Sequence, residues 1–369
     1  MRIAIIAPEQ IPVPPILGGS VEITILAIAK ELAKQHSVTV ISRSHRRYPA
    51  YSAVSGVHIY RVATGSPEKY LANVRSFLQG KSFDVIQVDN RPKFVPSLKK
   101  MFPNAVVSLF LHSLTFVSPP LATREAAGAG MRSADLVIAN SESLKTQLTK
   151  RFPFAAAKIR KVWLGVDTSR FKPAASAKPR RALRLLFAGR LIPRKGLPVL
   201  LRAVKLAKRA SARPLELVVA GGTKNAAYSR SMRALSQKLG VNARFLGTVP
   251  HRRIQQVFQD ADVFVCPSQL HEAFGLVNVE ALATGMPVIA SSIGGIKEIV
   301  VHNRNGMLIA RYKQPQAFAD AIVRLANDRS LLGTMKLQAR MDCMERFSWS
   351  ATAKRLARLY ASPNLHGDA

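Results

Sequence analysis

Two short stretches of this 369-residue chain carry side chains that can hold a phosphate and a sugar together. "GRLIPRKG", residues 189–196, offers the guanidinium of Arg190 and the ammonium of Lys195 beside Gly189. A planar fork of donors and a compact cation suit a diphosphate, and a glycine lets backbone approach it closely. An ordinary basic loop has the same composition. "HEAFGLVNVE", residues 271–280, places Glu272 and Glu280 on either side of Phe274, Gly275 and Leu276. Gly285 and Pro287 follow, which fits a helix from about Leu276 to Thr284 with a glycine stop. The N–H groups around Phe274 to Leu276 are then the unsatisfied donors of a helix start and can face a phosphate. A carboxylate has two acceptor oxygens, which suit paired sugar hydroxyls. Glu280, just inside the helix, can hold a ribose. Glu272, in the loop before it, can reach sugar hydroxyls beyond the phosphates.

A second group of candidates lies in the first half of the chain. His112 follows the apolar run "VVSLFL", and Asp89, Asn90 and Arg91 follow "DVIQV". Residues just past a buried strand's carboxyl end are where open α/β sheets bind ligands. His112 reads as a site residue or as a satisfied strand end. Asp89, Asn90 and Arg91 read as acceptor contacts or as a structural turn ahead of Pro92.

These stretches need a scaffold of strands and helices, and the pattern provides one. Val- and Ile-rich runs recur at 2–7, 37–42, 57–62, 84–88, 105–111, 134–140 and 159–165, with helical patterns between them such as Val21 to Gln35. After a Pro-containing break the alternation restarts, with strands near 184–189, 215–221, 243–247, 261–268, 287–291 and 306–310. Buried strands joined by helices indicate a parallel, doubly wound sheet. The expected architecture is α/β, with two Rossmann-like domains facing each other across a cleft. Residues 1–165 form the first, 166–181 a linker and 182–346 the second. A terminal helix over 347–361 is expected to pack back toward the first domain. Neither half has a GxGxxG after its first strand, which disfavours a dinucleotide oxidoreductase.

Composition narrows the classes further. A hydrophobic content of 48% supports packed cores and argues against disorder. The formal charge of +34 attracts anions, although segments such as "KRLARLYAS" also read as solvated helix faces. No nucleic-acid recognition motif accompanies the charge, so nucleic acid is not an expected partner. Cys266 and Cys343 show no zinc spacing, and Cys266 reads as a small core residue. The chain is read as lacking an Asp-x-Asp motif, so no bound divalent ion is expected. The opening apolar run is too short for a signal peptide, and no 18-residue apolar run exists. The expected location is cytoplasmic, at most peripheral to a membrane or a spore surface.

The composite resembles the GT-B glycosyltransferases, specifically the family-4 type of retaining enzyme, over nearly the whole chain. The matching stretches are the Gly18-Gly19 loop, "VDTSRF" at 166–171, "GRLIPRKG", "FLGTVPHRRI" at 245–254, the glutamate stretch, "GMPVIASSIGGIKEIV" at 285–300 and "FSW" at 347–349. "PEQIPVPPILGGSVE" and "VDNRP" are similar, more narrowly, to a branch associated with bacterial spore coats. The resemblance implies that Arg190 and Lys195 bind the donor's diphosphate and Glu280 its ribose. It implies that Glu272 contacts the transferred sugar beside Phe274, Gly275 and Leu276, and that His112 lies near that sugar. Gly18 and Gly19 would let their loop close on the phosphates, and Val249 would lie in the loop that meets the base. Leu164 departs from the Asn many members have before Gly-Val-Asp, and Ser113 replaces the Asp or Asn often found after the histidine.

The implied reaction moves a sugar from a nucleoside diphosphate sugar, UDP ahead of GDP, to a hydroxyl of a glycan, lipid or protein. Retention of anomeric configuration comes from the resemblance alone. No cofactor is implied. The basic stretch "RPKFVPSLKKMF" at 91–102 suggests contact with an anionic membrane. Three rivals share some of these features: a non-catalytic coat component of the same fold, a polyanion-binding protein and a sugar-nucleotide epimerase.

Overall fold

The computed structural model describes residues 1–175 and 180–363. The chain forms two compact units. One comprises Met1–Gly165 and the chain from Trp349 onward, and the other comprises Val166–Ser348.

Unit 1 holds eight strands: β1 (Arg2–Ile6), β2 (Ser37–Arg43), β3 (Tyr51–Val54), β4 (Val57–Val62), β5 (Val85–Asp89), β6 (Val106–Leu111), β7 (Leu136–Ala139) and β8 (Ile159–Lys161). Their order is β3-β4-β2-β1-β5-β6-β7-β8. All neighbours pair in parallel except β3 and β4. The sheet expected to be purely parallel therefore carries an antiparallel edge. Ser55 and Gly56, at φ +51 and +79, make the two-residue hairpin turn that adds β3. The central strands are buried on both faces, which explains their near-continuous apolar runs. The helix Ser20–Leu32 buries Ile25, Ile28, Ala29 and Leu32, one stripe of a 3.6-residue repeat.

The helix Trp349–Ala361 belongs to this same unit. Trp349, Ala353, Leu356 and Tyr360 are buried, and the helix packs on Ser20–Leu32. Thr352 Oγ1 also donates to Trp163 O at 2.9 Å. "KRLARLYAS" is thus solvated on one face only.

Unit 2 holds β9 (Leu183–Ala188), β10 (Leu215–Ala220), β11 (Ala243–Gly247), β12 (Val263–Cys266), β13 (Val288–Ser291) and β14 (Gly306–Ile309). The order β11-β10-β9-β12-β13-β14 is wholly parallel. It is the Rossmann order, and its direction reverses between β9 and β12. Helices Leu197–Ala207 and Pro315–Asn327 pack against each other over Leu185, Leu217 and Ile289. Cys266 and Cys343 are both buried free thiols.

Residues 166–175, expected to open a linker, are instead part of unit 2. Val166 N donates to Phe347 O at 3.0 Å. Phe171 is buried edge-on against Phe258, and Arg340 donates to the carbonyls of Phe171 and Thr168. The small residues and prolines that follow hid the contribution of that one aromatic. Positions 176–179 of the expected linker lie outside the described residues. Among the described residues, no helix is long and apolar enough to cross a membrane.

Candidate functional site

In unit 2, the loops after β9 and β12 flank the point where strand order reverses. "GRLIPRKG" is the first loop and "HEAFG" closes the second. They are packed together: Gln269 N donates to Arg194 O at 2.7 Å, and a Cβ on Gly196 would lie 1.8 Å from Pro267 O. Arg190 is exposed and has no ion pair among the described residues. Lys195 Nζ lies 2.5 Å from Glu272 Oε2, and Ser268 Oγ donates to the same oxygen at 3.3 Å. Burial pushes the Glu272 carboxyl up, but the charge and hydrogen bond of Lys195, with Arg194 and Ser268, hold it below the usual range.

Gly275 caps the helix Leu276–Ala283 in the left-handed region at φ +95. That conformation turns the chain from loop to helix, and a side chain there would meet Asn278. Phe274 anchors the turn, buried against Phe347 with ring centroids 6.1 Å apart. The loop rests on Gly294 and Gly295, where Cβ atoms would come within 2.0 Å of Glu272 O and 2.2 Å of Ala273 O. Gly295 N donates to Glu272 O at 2.9 Å.

Glu280 lies on the buried side of the helix start, 7% exposed. His251, which opens the helix His251–Gln259, approaches it with Nε2 at 3.7 Å from Glu280 Oε1. That nitrogen is buried and has no hydrogen bond. Arg170 Nη1 lies 3.2 Å from His251 Nδ1, and Nη2 donates to His251 O. A guanidinium only donates, so Nδ1 accepts and the proton of a neutral ring sits on Nε2, facing Glu280. Arg170 is set in turn by Asp167, whose Oδ1 accepts from Ser169 N, Ser169 Oγ and Arg170 N. Val249 is half-buried in the loop between β11 and His251. Both "VDTSRF" and "FLGTVPHRRI" stood out in the sequence, yet nothing there singled out Arg170 or His251.

In unit 1, Gly18 and Gly19 precede the helix Ser20–Leu32, which begins at its cap Gly19. Gly18 has open space around it, whereas a Cβ on Gly19 would lie 2.4 Å from Glu22 Oε2. Glu22 is 4% exposed. Burial pushes its carboxyl up to about 7, and nearby Asp89 adds to the rise.

His112 stands at the carboxyl end of β6 and is held on every side. Asn90 Oδ1 accepts from its N–H at 2.9 Å, Asn140 Nδ2 donates to its carbonyl at 3.2 Å, and Phe110 stacks on the ring at 4.5 Å. Nε2 lies 2.8 Å from Asp89 Oδ1, and Gln87 Nε2 donates to Asp89 Oδ2 at 2.6 Å. Arg91 makes a two-pronged pair with Glu9, 2.7 Å on each arm. Asp89, Asn90 and Arg91 are buried; Asp89 and Arg91 are paired, whereas Asn90 Nδ2 has no hydrogen-bond partner. Asp89 and Asn90 build the seat of His112.

An Asp-x-Asp pair does occur, at Asp260 and Asp262. It precedes β12, at the opposite end of the strand from Glu272, and is spent on ion pairs with Arg180, Arg184 and Lys336. Among the described residues no three His, Cys, Asp or Glu side chains gather as a metal-binding group.

Comparison with known proteins places this architecture. The family model described as "Glycosyltransferase Family 4" matches residues 18–170, and "Glycosyl transferases group 1" matches 168–342. Spore coat protein SA of Bacillus subtilis is 30% identical over 379 residues, covering 98% of this chain and 99% of that protein. Sucrose-phosphate synthase from Thermosynechococcus elongatus has a similar fold, with a TM-score of 0.83 at 24% identity over 98% of both chains. Anabaena HepE in complex with UDP and glucose gives 0.77 at 23% identity, over 98% of this chain and all of that one. The two Rossmann-like units are those of a GT-B glycosyltransferase. The chain belongs to the family-4 glycosyltransferases.

Proposed function

We infer that the protein transfers a sugar from a nucleoside diphosphate sugar to an acceptor hydroxyl, with retention and without a divalent ion. One observation carries this reading. Lys195, Glu272 and Glu280 sit with exposed Arg190 around the reversal point of the unit 2 sheet, beside a helix start whose amides are open donors. Arg190, Lys195 and those amides stabilise the charge that develops on the leaving diphosphate, the part a metal plays elsewhere. Glu280 takes the ribose and Glu272 the transferred sugar, with Phe274, Gly275 and Leu276 forming the turn between them. Val249 borders the base. The Gly18-Gly19 loop approaches the phosphates, and His112 contacts the sugar or acceptor. Retention implies same-face attack, with the departing phosphate accepting the acceptor's proton.

UDP is the favoured carrier, by likeness to the UDP-bound fold relative. The acceptor is a glycan, lipid or protein hydroxyl of a cell or spore surface, by likeness to the spore coat relative. The +34 charge supports peripheral contact with anionic membrane.

The test separates a phosphate site from diffuse basicity. Arg190→Gln with Lys195→Gln should weaken binding of the best of UDP, ADP and GDP by about 100-fold or more at about 0.15 M salt, since charged hydrogen bonds contribute about 1.5–3 kcal/mol each. Lys205→Gln with Lys208→Gln removes the same charge from the exposed face of the next helix and should change little, because salt screens it. Matching losses would mean that net charge holds the nucleotide, and the proposed site would fall.

A further inference from the structure

Tyr360, Gln87, Asp89 and His112 form a buried hydrogen-bonded row in unit 1. The Tyr360 hydroxyl lies 2.5 Å from Gln87 Oε1, Gln87 Nε2 lies 2.6 Å from Asp89 Oδ2, and Asp89 Oδ1 lies 2.8 Å from His112 Nε2. Gln87 and Asp89 are fully buried and Tyr360 is 2% exposed, so water does not compete.

The row has one direction. An amide oxygen only accepts, so the hydroxyl donates to Oε1 and the amide nitrogen donates to Asp89. The flipped amide would set its oxygen against a carboxylate oxygen at 2.6 Å, two acceptors with no proton between them. Asp89 then accepts on both oxygens, and the proton of a neutral His112 must sit on Nε2. Nδ1 is left with its lone pair. The backbone of His112 is already fixed by Asn90 and Asn140 and its ring by Phe110. The remaining freedom, ring flip and tautomer, is what Asp89 removes.

We propose that Tyr360, on the helix that follows Ser348, is a positioning residue for His112. Through Gln87 and Asp89 it holds the imidazole as the Nε2–H tautomer, so that Nδ1 accepts a hydrogen bond from a substrate hydroxyl. The last clause rests on His112 being a substrate contact, as proposed above.

The test uses the full chain labelled with ¹⁵N-histidine, with His112→Gln to assign the His112 signal. The wild type should show a protonated Nε2 and a bare Nδ1. Asp89→Asn should mix the tautomers, and Tyr360→Phe, which keeps the ring packing, should shift the ratio partway. Turnover is read as nucleoside diphosphate released from the best of UDP-glucose, ADP-glucose and GDP-mannose. It should fall about fivefold in Tyr360→Phe, the worth of one neutral hydrogen bond, and about 100-fold or more in Asp89→Asn, where the tautomer is lost. Nucleoside diphosphate affinity should stay within about twofold, because unit 2 holds the nucleotide. A protonated Nδ1 in the wild type overturns the proposal. So does a Tyr360→Phe protein that melts earlier yet keeps the tautomer ratio and turnover of the wild type, since that is packing alone. Full turnover in His112→Gln removes His112 from the substrate site, while the tautomer spectra still decide whether Tyr360 positions it.

Discussion

Lys195 Nζ and Glu272 Oε2 are 2.5 Å apart, so the cation assigned to the diphosphate is engaged by the acid assigned to the sugar. Both side chains are more than four-fifths buried, so taking either partner away leaves a buried charge uncompensated. On the proposed assignment a donor competes with Glu272 for Lys195, which couples its phosphate to its sugar through that one contact.

Glu272→Gln releases Lys195 and should leave nucleoside diphosphate affinity unchanged or up to about threefold tighter, while sugar transfer falls by about 100-fold or more. Glu280→Gln should instead weaken the nucleotide by about tenfold. Calorimetry and product assays on both variants check the assignment. Equal loss of nucleotide affinity would show that the two roles are misplaced.

His251 bears on Glu280. Its Nε2–H lies 3.7 Å from the carboxylate and has no hydrogen-bond partner. His251→Gln can place an amide N–H where Nε2 stands and should bind nucleoside diphosphate within about twofold of the wild type. His251→Phe has no donor and should bind about fivefold more weakly. The same affinity in the two variants would make His251 a packing residue.

Glu22 makes a prediction about pH. Its folded value of about 7 lies above the ordinary 4.5, so folding favours the protonated form. The stabilisation is fully present below pH 4.5 and is lost as pH rises through 7. A shift of that size corresponds to about 3 kcal/mol between the limits. Glu22→Gln should flatten the dependence of unfolding free energy on pH across that window and be more stable than the wild type at pH 8. Urea titrations at pH 5 and pH 8 measure it, and parallel curves for the two proteins would refute it.

Transfer should survive excess EDTA, because the proposed charge stabilisation comes from Arg190, Lys195 and helix amides. Abolition by EDTA and recovery with magnesium or manganese would place the diphosphate on a metal instead.

Much of the scaffold was legible because its strands are buried on both faces and leave near-continuous Val and Ile runs. Val57–Val62 and Ala243–Gly247 have the bounds that their runs predict. The hairpin strand Tyr51–Val54 was not legible: it is an exposed edge with no apolar run, and only Ser55-Gly56 signals it. The loop and helix start that carry Lys195, Glu272 and Glu280 were legible because turn and helix-cap chemistry is local. Gln87 and Tyr360 were not. A lone glutamine in an apolar strand and a tyrosine in a basic helix acquire meaning only when strand and helix meet, 273 positions apart. Arg170 and His251 were hidden for the same reason, since each has a role only beside the other.

The division of the chain has a bearing on synthesis. Unit 2 is one unbroken stretch, Val166–Ser348, whereas unit 1 is completed by a helix made after it. A nascent chain can close unit 2 while Gln87 still lacks the hydroxyl of Tyr360 and the helix Ser20–Leu32 still lacks its packing partner. On the ribosome the residues around His112 would thus be among the last to reach their working arrangement. The residues that the proposed function assigns to unit 1 thus settle after the unit assigned the nucleotide has been made.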